Sequence, residues 1–283
     1  MQKQGECAPV SNYFKLKIII CIQLVLGHHG AMDVLLKESR EGWARLTLNR
    51  PSVRNALNTG MLSQLAEALD QLAADRSCRA VLLCGAGGNF AAGADINEIE
   101  NKSSAEAATD PRKACWARIR SFPKPMVAAV DGFCLGGGFE LALMADCLVA
   151  GTDARFGFPE TNLGLIPGAG GTQRLLALAG RARAMRMVLM GEMIDAQRAE
   201  LWGIAGWRAE GSALPDAEAL CATLSARAPL ALMAAKRAII EGEETSLAFA
   251  AERAAFEALL DSDDKREGIA AFKARRKAEF KGR

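Results

Sequence analysis

Three short apolar runs constrain the fold of this chain more than any other feature. Residues 80–84 read Ala-Val-Leu-Leu-Cys, residues 126–130 read Met-Val-Ala-Ala-Val and residues 147–150 read Cys-Leu-Val-Ala. None alternates apolar with polar. Strands of this kind are covered on both faces, as in parallel sheets packed between helices. Glycine-bearing loops follow the strands, notably residues 85–95 and 131–138, and helical patterns come after them. The recurrence predicts an α/β domain with largely parallel strands and a helical C-terminal third. Ligands bind such sheets beyond the carboxyl ends of the strands, where both loops lie.

The remaining elements fit this frame. Residues 34–39 and 43–49 read as a strand hairpin about Glu41-Gly42. Asn58 or Thr59 caps a helix whose Leu62, Leu65, Leu69 and Leu72 recur at three- and four-residue steps. Residues 101–111 are polar and are expected to be mobile. Residues 113–122 are helical and stop at Pro123 and Pro125. Helical patterns run to about residue 203, a short strand is expected near 204–209, and four helix-like stretches follow. Residues 32–203 are therefore read as the core bearing the site, and residues 204–283 as a mainly helical region. Its Leu247, Phe249, Phe256, Leu259 and Leu260 suggest oligomerisation, being more apolar surface than a lone terminal hairpin should expose.

Composition narrows the function. The 283 residues are 50% hydrophobic and 24% charged, which suits a large core and not disorder. A net charge of +2 is too small to imply nucleic acid or a membrane surface as partner. The eight cysteines make no C-x-x-C pair and no zinc spacing, so they are expected as small buried side chains in a reducing cytoplasm. Residues 1–31 stand apart. Their apolar run at 18–26 is shorter than the about 20 residues a bilayer demands, and no Ala-x-Ala site follows. They are read as an unmatched extension, a misassigned start or a disordered tail, with the functional chain expected to begin at Met32. The only histidines, His28 and His29, lie within them.

Acid–base chemistry must then rest on other groups. Glu140 follows Gly136-Gly137-Gly138, and Glu160 follows Phe156-Gly157-Phe158-Pro159 and precedes the glycine-rich run at 168–171. Carboxylates beside bare backbone suit acid–base work on a substrate held by amide N–H groups. Bland readings compete. Glu140 could cap its own helix, Glu160 could pair with Arg174, and the glycines could merely make tight turns. The neighbours Phe139, Leu141, Leu143 and Met144 argue against a solvated Glu140. Phosphate binding is poorly matched. Residues 85–90 have Phe90 where a dinucleotide fingerprint needs glycine, and Ala94-Asp95 replaces the Lys-Ser/Thr of a P-loop. Ala94 and Gly137 can each offer an N–H to polarise a carbonyl instead.

Taken together, these residues resemble the enoyl-CoA hydratase, or crotonase, superfamily. The matching runs are Asn49-Arg50-Pro51 with Asn55-Ala56-Leu57, residues 90–96, Lys124-Pro125, residues 135–142, 156–160 and 164–175, and residues 267–272 with 280–283. The likeness covers residues 32–283 and runs toward bacterial hydratases of phenylacetate degradation. It implies the crotonase fold, a spiral of ββα units with a helical C-terminal region that trimerises, usually as two stacked trimers. It also implies an acyl-CoA substrate and no metal or separate cofactor. Ala94 and Gly137 fall on the oxyanion-hole positions and Glu140 and Glu160 on the two catalytic acids. Gly168 falls on a site that helps hold the catalytic water, and Phe272 on a residue near the acyl tunnel that often reaches a neighbouring subunit. Asn97 and Trp207 depart from the pattern, which commonly has lysine and a small aliphatic residue there. An isomerase of the same fold is the nearest rival, and it often lacks the first acid. An RNA-binding relative would want a basic stripe with exposed aromatics, and the basic residues 273–283 are its only support.

Overall fold

The computed structural model describes residues 33–243, 253–254 and 256–279. The expectations for residues 1–31, and those for Leu247 and Phe249, lie outside them. Among the described residues nine strands form two sheets: β1 (Leu35–Arg40), β2 (Trp43–Leu48), β3 (Ala80–Gly85), β4 (Met126–Val130), β5 (Phe133–Leu135), β6 (Cys147–Ala150), β7 (Arg155–Gly157), β8 (Ile194–Asp195) and β9 (Trp207–Arg208). The larger sheet has the order β1-β2-β3-β4-β6-β9 and the smaller one β5-β7-β8. β1 and β2 are the antiparallel hairpin, and the rest of the large sheet is parallel.

The period of two within each strand divides the core. Val81, Leu83, Ala128 and Val130 face one cluster, which also holds Leu62, Leu65, Leu69 and Leu72. Ala80, Leu82, Cys84, Val127, Ala129 and Val149 face a second cluster, closed by Ala213, Ala217 and Cys221. The first face is covered by the helix Thr59–Ala74, capped by the Asn58 side chain accepting from Met61 N, with the helix Pro111–Arg120 packed on it. The second is covered by the helix Leu214–Ser225. Hence the central runs lack polar positions. Cys78, Cys84, Cys115, Cys134 and Cys221 are buried and Cys147 is partly so. Trp207 sits on the edge strand β9 and is exposed. Among the described residues no helix is long and apolar enough to cross a membrane.

Residues 101–111, read from the sequence only as polar and mobile, carry regular structure. Ser103 and Glu106 form a reciprocal cap on the helix Ser104–Ala108, and Asp110 starts the next helix. The polar residues are there because two helix starts follow each other. The Asp110 side chain is only 1% exposed and bonds Lys102 Nζ at 2.6 Å, Arg112 Nη2 at 2.7 Å and Arg112 N at 2.9 Å. Burial alone would push its carboxyl upward, but the bonds from Arg112 and Lys102 outweigh it and hold the group well below its ordinary value of 3.8. A depressed carboxylate stabilises the fold above its unfolded-state value, and that stability is lost as pH falls through the folded one. Asp110→Asn should therefore lower stability at neutral pH and flatten the acid side of the stability curve. Urea unfolding from about pH 5 downward measures both, with the parent losing more stability than the variant over that range.

Candidate active site

The short helix Gly137–Ala142 begins against three neighbours, and its glycines admit them. Gly136, the residue before it, has φ 50° and ψ −130°, a conformation open to glycine. A Cβ on Gly136 would lie 2.9 Å from Glu160 Oε1 and 3.7 Å from Gly93 Cα. One on Gly137 would lie 3.5 Å from Ala94 N, and one on Gly138 only 2.3 Å from Ala91 O. Ala94, Ala91 and the Glu160 carboxylate thus all meet the backbone at one helix start.

The direction of the Ala94 amide follows from a β-bridge. Leu57 N donates to Gly93 O at 2.8 Å, and Asp95 N donates to Leu57 O at 2.9 Å. Residues 93 and 95 therefore face Leu57, and the N–H of Ala94 between them faces the other way. It looks toward Gly137, whose own N–H is among the first of its helix and needs no carbonyl within it. Among the described residues neither N–H donates to a protein acceptor. Two such donors side by side can receive a carbonyl oxygen and the negative charge it gains.

Glu140 is 4% exposed, and its helix buries Phe139 and Leu141 beside it. Phe139 packs at 4.7 Å on Phe158 and 5.4 Å on Phe156, ring centre to ring centre. Glu140 Oε1 accepts from Ala169 N at 2.6 Å and Gly171 N at 3.0 Å. The carboxylate thus meets the start of the helix Gly171–Ala179, where Gly170 brings no side-chain cap. It serves a different helix from its own, which the simple capping reading had not foreseen. Gly171 makes this possible, since a Cβ there would stand 2.9 Å from Glu140 Cγ and 2.6 Å from Phe158 Cζ.

Glu160 stands in the 3-10 turn Pro159–Leu163, which ends at Gly164 with φ 70°. The helix Asp263–Lys273 closes over that turn so tightly that a Cβ on Gly268 would lie 2.5 Å from the Leu163 carbonyl carbon. Arg174 Nη1 reaches the carbonyls of Ala169 at 3.2 Å and Gly170 at 3.5 Å. Gly168 lies one residue before Ala169, and its Cβ position is 2.8 Å from the Phe256 ring. Phe256 and Leu259 pack within the chain on Ile99, Leu165 and the buried Leu260, and Ala94 joins the same cluster. Phe256 and Leu259, partly exposed, and the buried Leu260 thereby form an apolar wall from Ala94 toward Gly168. Phe272, on the closing helix, is 59% exposed, so the single chain does not bury it. Sequence reasoning missed Phe256 in this setting. Its only signal was the absence of a side chain at Gly168.

The glycine contacts make a graded prediction. Gly138→Ala should cost about 1–3 kcal/mol, because its methyl meets the Ala91 carbonyl. Gly137→Ala meets Ala94 at ordinary contact distance and should stay within about 0.5 kcal/mol of the parent. Thermal unfolding of the two variants ranks them.

Comparison with known proteins gives the same direction. Residues 38–283 match the family model described as enoyl-CoA hydratase/isomerase. The 2,3-dehydroadipyl-CoA hydratase of Escherichia coli (strain K12) is 44% identical over 255 residues, covering 89% of this chain and 100% of that protein. A probable enoyl-CoA hydratase of Rhizobium meliloti (strain 1021) is 42% identical over 258 residues, covering 89% and 99%. Among solved structures, the carnitinyl-CoA hydratase from Mycobacterium avium superposes with a TM-score of 0.80 at 33% identity, covering 89% of this chain and 100% of that one. The fold is the crotonase fold, and the chain belongs to the enoyl-CoA hydratase/isomerase family.

Proposed function

We propose that this protein is a hydro-lyase that adds water across the trans-2 double bond of an enoyl-CoA thioester, giving the 3-hydroxyacyl-CoA. The observation that carries the reading is the meeting of two N–H groups, from Ala94 and Gly137, with two carboxylates at the same helix start. The thioester carbonyl oxygen sits between the two N–H groups. Water is held by both carboxylates. Glu140, ionised, takes its proton as the water oxygen bonds the β-carbon, the electron pair moves to the thioester as an enolate, and Glu160, protonated, delivers a proton to the α-carbon. Passage of a proton from Glu140 back to Glu160 resets the pair. The Gly168 backbone helps hold the water, and Phe272 borders the acyl chain. The steps are polar and call for no metal or redox cofactor; coenzyme A is part of the substrate. The name of the E. coli relative favours 2,3-dehydroadipyl-CoA as the substrate, and the family resemblance favours phenylacetate degradation as the setting of that reaction. A cytoplasmic location fits the free cysteines of the described residues, most of them buried. A homotrimer or dimer of trimers would cover the exposed Met185, Leu189, Met190 and Leu201.

Glu140→Gln and Glu160→Gln should each reduce hydration by about 10²–10⁴-fold while the thioester still binds. The double variant should be little worse than the weaker single one, because both groups act on one water. The loss of enoyl absorbance in the ultraviolet follows the reaction. A parent that never hydrates a 2-enoyl-CoA, yet moves the double bond of a 3-enoyl-CoA with Glu140→Gln still active, would make the protein an isomerase.

A further inference from the structure

The Leu57–Ala94 bridge that aims the Ala94 N–H is spanned by a single side chain. Arg50 Nη1 donates to Ala56 O at 2.6 Å and pairs with Asp95 Oδ2 at 2.9 Å. Ala56 precedes Leu57 and Asp95 follows Ala94, so one nitrogen grips both sides of the bridge. The pair is mostly shielded, with side-chain exposures of 21% for Arg50 and 13% for Asp95. The other Asp95 oxygen accepts from Asn97 N at 3.2 Å, which fixes the carboxylate plane.

Arg50 is itself held. Its N–H donates to Asn55 Oδ1 at 2.9 Å, and the fully buried Asn55 donates to Ala86 O at 2.8 Å and Asn89 O at 2.7 Å. The turn between Arg50 and Leu57 carries two non-glycine residues in the left-handed region, Arg54 at φ 51° and Asn55 at φ 57°. Such backbone persists only where surrounding contacts determine it, and it clusters at sites that demand a fixed geometry.

We infer that Arg50 is a positioning residue for hydration, clamping the Leu57–Ala94 bridge so that the Ala94 N–H stays aimed at the thioester oxygen. This rests on the oxyanion role of Ala94 proposed above. The clamp touches no reacting atom. It acts on the direction of one donor, and a misplacement of about 1 Å in such a group can cost on the order of 10²-fold in rate.

The test uses the full chain and four variants: Arg50→Gln, Arg50→Lys, Asp95→Asn, and Arg118→Gln as a control in an exposed ion pair with Asp70. Two quantities are measured: kcat and KM on a 2-enoyl-CoA, and the red shift of a bound aryl-conjugated enoyl-CoA, which reports polarisation of its carbonyl. Arg50→Gln and Asp95→Asn should lower kcat by about 10–10²-fold with KM nearly unchanged, and should shrink the red shift. Arg50→Lys keeps charge and donors and should recover part of both, and Arg118→Gln should match the parent. Folded Arg50→Gln with the parent's kcat and red shift overturns the inference, as does a rise in KM alone or a fall in kcat with the red shift intact. Should Arg50→Gln not fold, Asp95→Asn decides by the same criteria, since it can still accept from Asn97. A parent that produces no red shift removes the oxyanion role of Ala94, a separate failure from that of Arg50.

Discussion

The site depends on a helix start that carries no side chains. The backbone at 136–138 passes within contact of the Glu160 carboxylate, the Ala94 amide and the Ala91 carbonyl. A Cβ at Gly136 or Gly138 would push one of these away. The helix itself has six residues and contributes little stability of its own. Its work is to present an N–H and a carboxylate, Gly137 and Glu140, less than one turn apart, on a start fixed from three sides.

A buried carboxylate is costly unless hydrogen-bonded, and Glu140 meets that demand with backbone donors. Ala169 N and Gly171 N are among the groups a helix start leaves without internal partners, and Gly170 offers no cap. In the proposed mechanism, stability and chemistry therefore use the same atoms. Replacing Glu140 by an apolar residue would leave buried N–H groups unsatisfied, at about 1–3 kcal/mol each. Glutamine, which can still accept, separates the catalytic contribution from the structural one.

Much of this was legible in the residues, and the reason differs from part to part. The buried strands could be read because a sheet covered on both faces leaves no polar position in residues 80–84 or 126–130. The helix at 59–74 could be read because Asn58 caps it and its leucines keep one face. β5, β7 and β8 were not seen. They have two or three residues each, too few for any period, and pair only because the loops around the site are held together. The helix starts within residues 101–111 were not seen because capping residues and loop residues are the same polar types. Glu140 and Glu160 stood out by their glycine surroundings, but Ala169 and Gly171, the partners of Glu140, did not, because those contacts are made by backbone. The contact of Phe256 with Gly168 was not seen because Gly168 has no side chain to advertise it.

The helix Asp263–Lys273 shows how distant sequence completes the arrangement. At Gly164 and Gly268 it lies against the turn that carries Glu160. On the same helix the buried Lys265 donates to the carbonyls of Glu100 at 2.9 Å and Lys102 at 3.3 Å, and Lys273 pairs with Glu100. Those residues follow directly from Ala94 and Asp95. Burial pushes the Lys265 ammonium below its ordinary range, so the group is held at a cost that its carbonyl partners offset. One helix near the end of the chain thus ties the turn bearing the second carboxylate to the segment bearing the first N–H donor. The proposed clamp at Arg50 holds the same segment at Asp95. The geometry between donor and acid is then set by contacts from two separate parts of the chain, the turn at Arg50 and the helix Asp263–Lys273.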